Sequence, residues 1–172
     1  YGPKIDIDLV DALGRPWQTA TVQFDFTLPV RFGLTYVGED GKEHVPFVVH
    51  RALFGSMERG FGRLIEHYAG AFPPWLAPEQ ARVLPIADRH QPYAEQVAGR
   101  LREAGLRVEV DGTNERIAYK VRRAQVMKVP YMLVVGDKEV QSGQVAVRSR
   151  DAGDLGPMAV DAFVERIQRE VA

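Results

Sequence analysis

Hydrophobic and polar residues alternate from the start of the chain. Ile5, Ile7 and Leu9 fall on one side of an extended segment, Lys4, Asp6 and Asp8 on the other, the period-two pattern of a half-buried strand. Asp11-Ala12-Leu13-Gly14-Arg15-Pro16 reverses the chain, and residues 17–26, rich in Thr, Val and aromatics, return it as a second, antiparallel strand. Pro29 ends that run. Gly38-Glu39-Asp40-Gly41-Lys42 reads as a polar turn, and Pro46 opens a short apolar strand through Phe47, Val48, Val49 and His50. The period then changes: Leu53, Met57, Phe61, Leu64, Ile65 and Tyr68 recur at steps of three and four, which predicts an amphipathic helix of about five turns. That stretch contains Gly55, Gly60 and Gly62, each costing roughly 1 kcal/mol relative to alanine in a helix interior. Close packing on the sheet or close approach by a ligand must compensate.

Residues 71–78 hold three prolines and no period, so they read as a linker, with a domain boundary that divides the chain into 1–76 and 77–172. Beyond it the pattern is strand (81–87), helix (91–104), strand (106–110), helix (115–127), strand (131–135), strand (144–148) and helix (159–171). Strands alternating with helices predict an α/β domain with crossover helices. Gly136-Asp137 and Ser142-Gly143 bracket a short connection, so the last two strands form a hairpin and the sheet is mixed. The fold class expected is α/β, with an α+β first part: an antiparallel sheet with one packing helix, followed by an α/β domain with a mixed sheet. The first part resembles a partial domain whose apolar faces need neighbours; the second is near the size of an independent one.

Composition adds exclusions. At 45% hydrophobic and 26% charged the chain is neither low-complexity nor disordered. The absence of cysteine excludes disulfides and thiolate ligands from within the chain. A net charge of −1 argues against wholesale nucleic-acid condensation, and no apolar run reaches the length of a membrane span. By domain the net charge is −2 and +1. Within the second, Arg116, Lys120, Arg122 and Arg123 share one predicted helix, with Lys128 directly after it and Arg148 and Arg150 following, which reads either as a solvated helix face or as a surface that tracks phosphates. The start, Tyr1-Gly2-Pro3-Lys4, has neither an initiator Met nor a signal pattern and suggests a piece of a longer chain.

Several runs carry a family resemblance. Tyr1 to Asp6, Trp17-Gln18 with Val22-Gln23-Phe24-Asp25-Phe26, Tyr36-Val37-Gly38-Glu39-Asp40, and His50 to Arg59 resemble the C-terminal part of the threonyl-tRNA synthetase catalytic domain, the last run being similar to class II motif 3. Val129 to Glu139 and Asp154-Leu155-Gly156-Pro157-Met158 resemble that family's anticodon-binding domain. The resemblance implies an enzyme that activates threonine with ATP and magnesium and transfers it to threonine tRNA. It also implies a zinc ion, a homodimer and the cytoplasm. Because the motif 1 and motif 2 regions are missing from these residues, the piece by itself is expected to be inactive. A noncatalytic tRNA-binding or accessory protein derived from a synthetase is the alternative, and a prolyl, histidyl or glycyl enzyme shares the same domain order.

Residue by residue, the resemblance implies that Arg59 stacks on adenine and neutralises phosphate, with Lys4 and Gln18 serving the reacting groups. Tyr1 and Gln23 line the threonine pocket, and Ser56 closes its floor. His50 matches a zinc ligand, the other ligands lying upstream in the family; chelation of the amino and hydroxyl groups rejects valine, which packing alone does poorly. Without the motif, Arg59 would read as a surface ion pair and His50 as a structural residue. Gln18 and Gln23 are five apart, so they share a pocket only if the strand carries a bulge or twist. Asn114, Arg122, Glu139 and Arg148 match positions that read anticodon bases, suited to unstacked bases in a loop.

Overall fold

The computed structural model describes residues 2–171. Its contacts divide the chain into two units, residues 1–69 and 70–172.

The first unit contains β1 (Lys4–Val10), β2 (Pro16–Asp25), α1 (Thr27–Arg31), β3 (Tyr36–Val37), β4 (Glu43–His44), β5 (Val48–Ala52) and α2 (Met57–Tyr68). β1, β2 and β5 form an antiparallel sheet in that order, and β3 and β4 a separate two-stranded ribbon. Pro29 does not simply end β2 but sits inside α1, whose first amides, Thr27 and Leu28, donate to Asp25. The predicted long helix starts four residues late. Leu53 to Gly55 are outside it, because Gly55 takes φ +67° and an added Cβ there would lie 3.3 Å from the carbonyls of Gln18 and Thr19. Gly60 answers to packing: a Cβ would come within 2.8 Å of Phe54 Cβ. Around Gly62 there is open space. Among the described residues of this unit only Thr19, Asp25, Pro29 and Gly60 are buried, and Ile5, Ile7 and Leu9 remain exposed.

The second unit contains β6 (Ala81–Pro85), α3 (Gln91–Glu103), β7 (Val108–Val110), α4 (Ile117–Val126), β8 (Tyr131–Val135), α5 (Asp137–Ser142), β9 (Gln144–Ser149), β10 (Gly153–Ala159) and α6 (Val160–Val171). The strand order is β10-β9-β8-β6-β7. β6 is parallel to β7 and β8, whereas β9 runs antiparallel to β8 and β10 to β9, so the sheet is mixed. On one face Val83, Leu133, Val135, Val145 and Val147 pack on α3 and α6 through Val97, Leu101, Phe163 and Ile167. On the other, Leu84 and Met132 meet Ala124 of α4 and Val129.

Two elements depart from the sequence pattern. The connection 136–143 is the short helix α5, and β10 is an additional strand. Its Gly153, Gly156 and Pro157 read as loop, yet they are tolerated because β10 is an edge strand with one unpaired side. The proline-rich segment is tied to the second unit: Arg107 donates to the carbonyls of Pro74, Trp75 and Ala77, Gln80 to Pro74, and Arg150 to Phe72.

Candidate functional site

In the first unit the polar residues meet on one face of the sheet because β2 is bulged. Ile7 pairs with Ala20 and Asp8 with Gln18, leaving Thr19 as the extra residue. Thr19 is buried, and its hydroxyl donates to the Ile7 carbonyl at 2.8 Å. Residues directly opposite in an antiparallel pair share a face. Lys4 opposite Gln23, Asp8 opposite Gln18 and Gln23 opposite His50 therefore bring Lys4, Gln18, Gln23 and His50 onto one surface. The bulge that Gln18 and Gln23 required is present.

Asp6 organises one end of this face, accepting from Gln18 Nε2 at 2.6 Å and pairing with Lys4 Nζ at 2.7 Å. The Lys4 ammonium, followed by Thr21, holds the Asp6 carboxyl below its ordinary range. At the other end, buried Asp25 meets His50 Nε2 at 2.8 Å. The Leu28 amide and His50 lower the Asp25 pKa against the opposing effect of burial. Gln23, His50, Thr21, Leu28, Arg51 and Ala52 line a shallow pocket of about 330 Å³. A larger cavity of about 710 Å³ lies against α2, with mainly apolar walls that include Ile7, Leu9, Leu53 and Leu64.

The structure keeps Arg59 and Ser56 apart from that polar face. Arg59 lies with its guanidinium 5.7 Å from the centre of the Trp17 ring, as does Arg15, and Trp17 is opposite Leu9. Ser56 is the N-cap of α2, its hydroxyl accepting from the Arg59 amide at 3.2 Å. Ser56→Ala is expected to cost α2 about 1 kcal/mol, measurable as faster hydrogen exchange at the Arg59 amide; unchanged exchange would remove the capping role. Tyr1 lies outside the described residues.

A zinc ion is implied by the resemblance, and His50 suits one ligand position, since a buried carboxylate on one ring nitrogen fixes a ligating imidazole. Among the described residues no three His, Asp or Glu side chains gather into a metal site. His50 is thus a single oriented donor.

In the second unit the predicted basic patch largely dissolves. Lys120 is buried, its ammonium donating to the carbonyls of Pro85 at 2.9 Å and Asp111 at 3.0 Å. Arg123 pairs with Asp111 at 2.7 Å, and Arg150 with Asp151 at 2.8 Å. Burial pushes the Asp111 carboxyl up, but the Thr113 hydroxyl and amide, with the charges of Arg123 and Lys120, outweigh it and leave the group below its ordinary pKa. These cations brace the fold. Arg116 and Arg122 remain exposed on or beside α4.

Arg148 is opposite Met132, so it faces the α4 side of the sheet. α4 covers β6 and β8 there, and the row on β9 and β10 is left accessible: Gln144, Ala146 and Arg148 are half-buried, and their partners Ala159, Pro157 and Asp154 are exposed. Asn114 is exposed in the loop after β7, and Glu139 is half-buried on α5 after β8. Both follow the C-terminal ends of parallel strands, where open α/β sheets bind ligands. Arg148 is set three residues back from the end of β8, roughly 10 Å along the strand. A ligand touching both ends of this surface is a chain of several units rather than one small molecule.

Three groups that organise these surfaces are not singled out as site residues by the sequence: Asp25, Asp111 and Asp137. The signal for Asp25 was its alternation with Gln23 on β2; nothing in the sequence pointed to the other two.

Residues 80–170 match the anticodon binding domain family, and residues 1–68 match the class II core domain of the tRNA synthetases for G, H, P, S and T. The threonine–tRNA ligase of Symbiobacterium thermophilum is 60% identical over 172 residues, all of this chain and 26% of that protein. That of Caldanaerobacter subterraneus subsp. tengcongensis is 56% identical over all of this chain and 27% of that protein. The crystal structure of the RNA binding domain of threonyl-tRNA synthetase from Cryptosporidium parvum Iowa II superposes with a TM-score of 0.89 at 38% identity, covering 99% of this chain and 43% of that one. The chain spans about a quarter of the length of the curated relatives it matches.

Proposed function

Because this chain belongs to the anticodon-binding family of the aminoacyl-tRNA synthetases and is similar throughout to threonine–tRNA ligases, we propose that its second unit reads the anticodon loop of threonine tRNA. The first unit contributes part of the site at which the parent enzyme activates threonine with ATP and transfers it to tRNA.

The observation that carries the reading is the accessible β9–β10 face with Arg148 on it, flanked by Arg122 on α4 and by Asn114 and Glu139 at the strand ends. Such a surface offers what a single-stranded loop needs. A flat, partly apolar floor accepts unstacked bases, guanidinium groups stack or bind phosphate, and an amide and a carboxylate bond to base edges. Asn114 can donate and accept; ionised Glu139 only accepts, so it selects base amino and imino groups.

In the first unit, Gln23 and the His50 pocket would take the threonine side chain and amino group, while Lys4 and Gln18 would meet the acyl, phosphate or ribose groups. Arg59 would meet ATP, swinging from Trp17 to do so. Zinc, when bound, supplies a Lewis acid that discriminates a hydroxyl from a methyl, and the part of these residues is to hold His50 oriented through Asp25. With one oriented donor among the described residues, the ion requires ligands from elsewhere in the parent enzyme. Magnesium would accompany ATP, and the parent would act as a homodimer in the cytoplasm. No helix among the described residues is long and apolar enough to cross a membrane.

The test is binding of the 172-residue chain to an RNA stem-loop with a threonine anticodon and to stem-loops with other anticodons, at fixed salt. Preference for the threonine loop of about tenfold or more is expected, with all affinities weakening as salt rises. Equal affinity for every loop would overturn the reading.

A further inference from the structure

Glu139 has to be held accurately to read a base, yet the element that carries it is ill suited to hold itself. α5 is six residues long, too short for an isolated helix to persist in water. Its place must come from what it is tied to.

The ties run to the segment after β6. Arg89 meets Asp137 through Nε at 3.0 Å and Nη2 at 2.6 Å, and His90 Nε2 meets Asp137 Oδ1 at 2.9 Å. An exposed ion pair alone contributes little, and both Arg89 and Asp137 are exposed. His90 changes this. It is buried, and the Ala87 amide donates to its Nδ1 at 3.1 Å, which assigns the ring proton to Nε2 and aims that donor at Asp137. The Ile86 amide also donates to the Val135 carbonyl at 3.0 Å, extending the β6–β8 register past the strands. Gly136 lies against Ile86 so closely that a Cβ would come within 2.6 Å of its Cδ1. Glu139 closes the turn by accepting from the Gly136 amide through Oε2 at 2.9 Å. One carboxylate oxygen is therefore fixed on the backbone, and the other is left for a partner.

Resting on the anticodon-reading function above, we propose that Asp137, gripped by Arg89 and His90, is the positioning residue that sets Glu139 for base recognition. Asp137 need not touch RNA. It anchors the first residue of α5 to the loop after the neighbouring strand β6, at the point where the chain leaves β6 toward β7 and β8 toward β9, in opposite directions across the sheet. The orientation of the Glu139 carboxylate, two residues on, follows from that anchor.

The experiment measures affinities of the 172-residue chain for the threonine-anticodon stem-loop and for the same loop with each anticodon base replaced in turn. It compares the unaltered chain with Asp137→Asn, Glu139→Gln and the double variant. Asp137→Asn is expected to lose roughly tenfold in discrimination at one anticodon base, Glu139→Gln to lose it at that same base, and the double variant to lose no more than Glu139→Gln, because the two act through one contact. A purely structural Asp137 would weaken binding to every loop alike and add to the Glu139 effect. Either that result or undiminished discrimination by Asp137→Asn would overturn the positioning role alone. Failure of the unaltered chain to discriminate would overturn the anticodon-reading function and this role with it.

Discussion

Phe163→Ala is expected to destabilise the second unit by about 3–5 kcal/mol, the usual cost of emptying a large aromatic site in a packed core. Phe163 is the largest fully buried side chain, belongs to the cluster that joins α6 to the sheet, and packs edge-on against Tyr131 with centroids 5.3 Å apart at 78°. Val145, Val147 and Ile167 around it are also fully buried, and a β-sheet floor cannot collapse far into the space. Domain stabilities are themselves only about 5–15 kcal/mol. In urea the midpoint should fall by about 1.5–2.5 M at a slope of ~2 kcal/mol/M. Far-UV circular dichroism checks this; a shift below 0.5 M (about 1 kcal/mol at a slope of ~2 kcal/mol/M) would mean that the α6 side is not the principal core. Phe163 is on the face opposite Arg148, so below the transition the variant should keep its preference among stem-loops.

Asp111→Ala is expected to cost about 3 kcal/mol, because it leaves one buried ammonium and one guanidinium without their anion. The Asp111 side chain is fully buried and serves Thr113, Arg123 and, electrostatically, Lys120. The sign of its pH dependence follows. The folded pKa lies below the ordinary value of 3.8, so the carboxylate contributes fully above about pH 4 and progressively less as pH falls through the folded pKa. Chemical denaturation between pH 7 and pH 3 should show a shallower acid loss for Asp111→Asn than for the unaltered chain. An identical slope would show that Asp111 is not a major acid-labile group. The loop it braces carries Asn114, so a stability loss here should be accompanied by weaker stem-loop binding.

Periodicity revealed most of the strands and helices, and where it failed the cause is specific. β10 was illegible because its glycines and proline are turn residues by composition, and only its edge position makes them acceptable in a strand. α2 began late because the backbone of β2 comes close to Gly55, a tertiary contact with no local signature. The site divides in the same way. Lys4, Gln18, Gln23 and His50 were legible as polar positions with a family pattern, but their sharing a face depended on a bulge that spacing could only require. The basic helix misled because charge counts say nothing of direction: Lys120 points inward at two carbonyls, while Arg122, two residues on, remains exposed. Asp137 was hidden because its partners are 47 and 48 residues away in sequence.

The bulge at Thr19 also makes β2 a strand of two phases. Before it, even-numbered residues such as Gln18 share the polar surface; after it, odd-numbered ones, Thr21 and Gln23, do so. The unpaired residue is thus a counter as well as a contact, its shift of phase coming in addition to its hydroxyl bond to Ile7. Deleting it would leave Gln18 and Gln23 an even number of residues apart, so a regular strand without the bulge would still keep Gln18, Thr21 and Gln23 on one surface. What the shared surface fixes is parity: the extra residue and the bulge can go together, but losing either alone would put Gln18 and Gln23 on opposite faces.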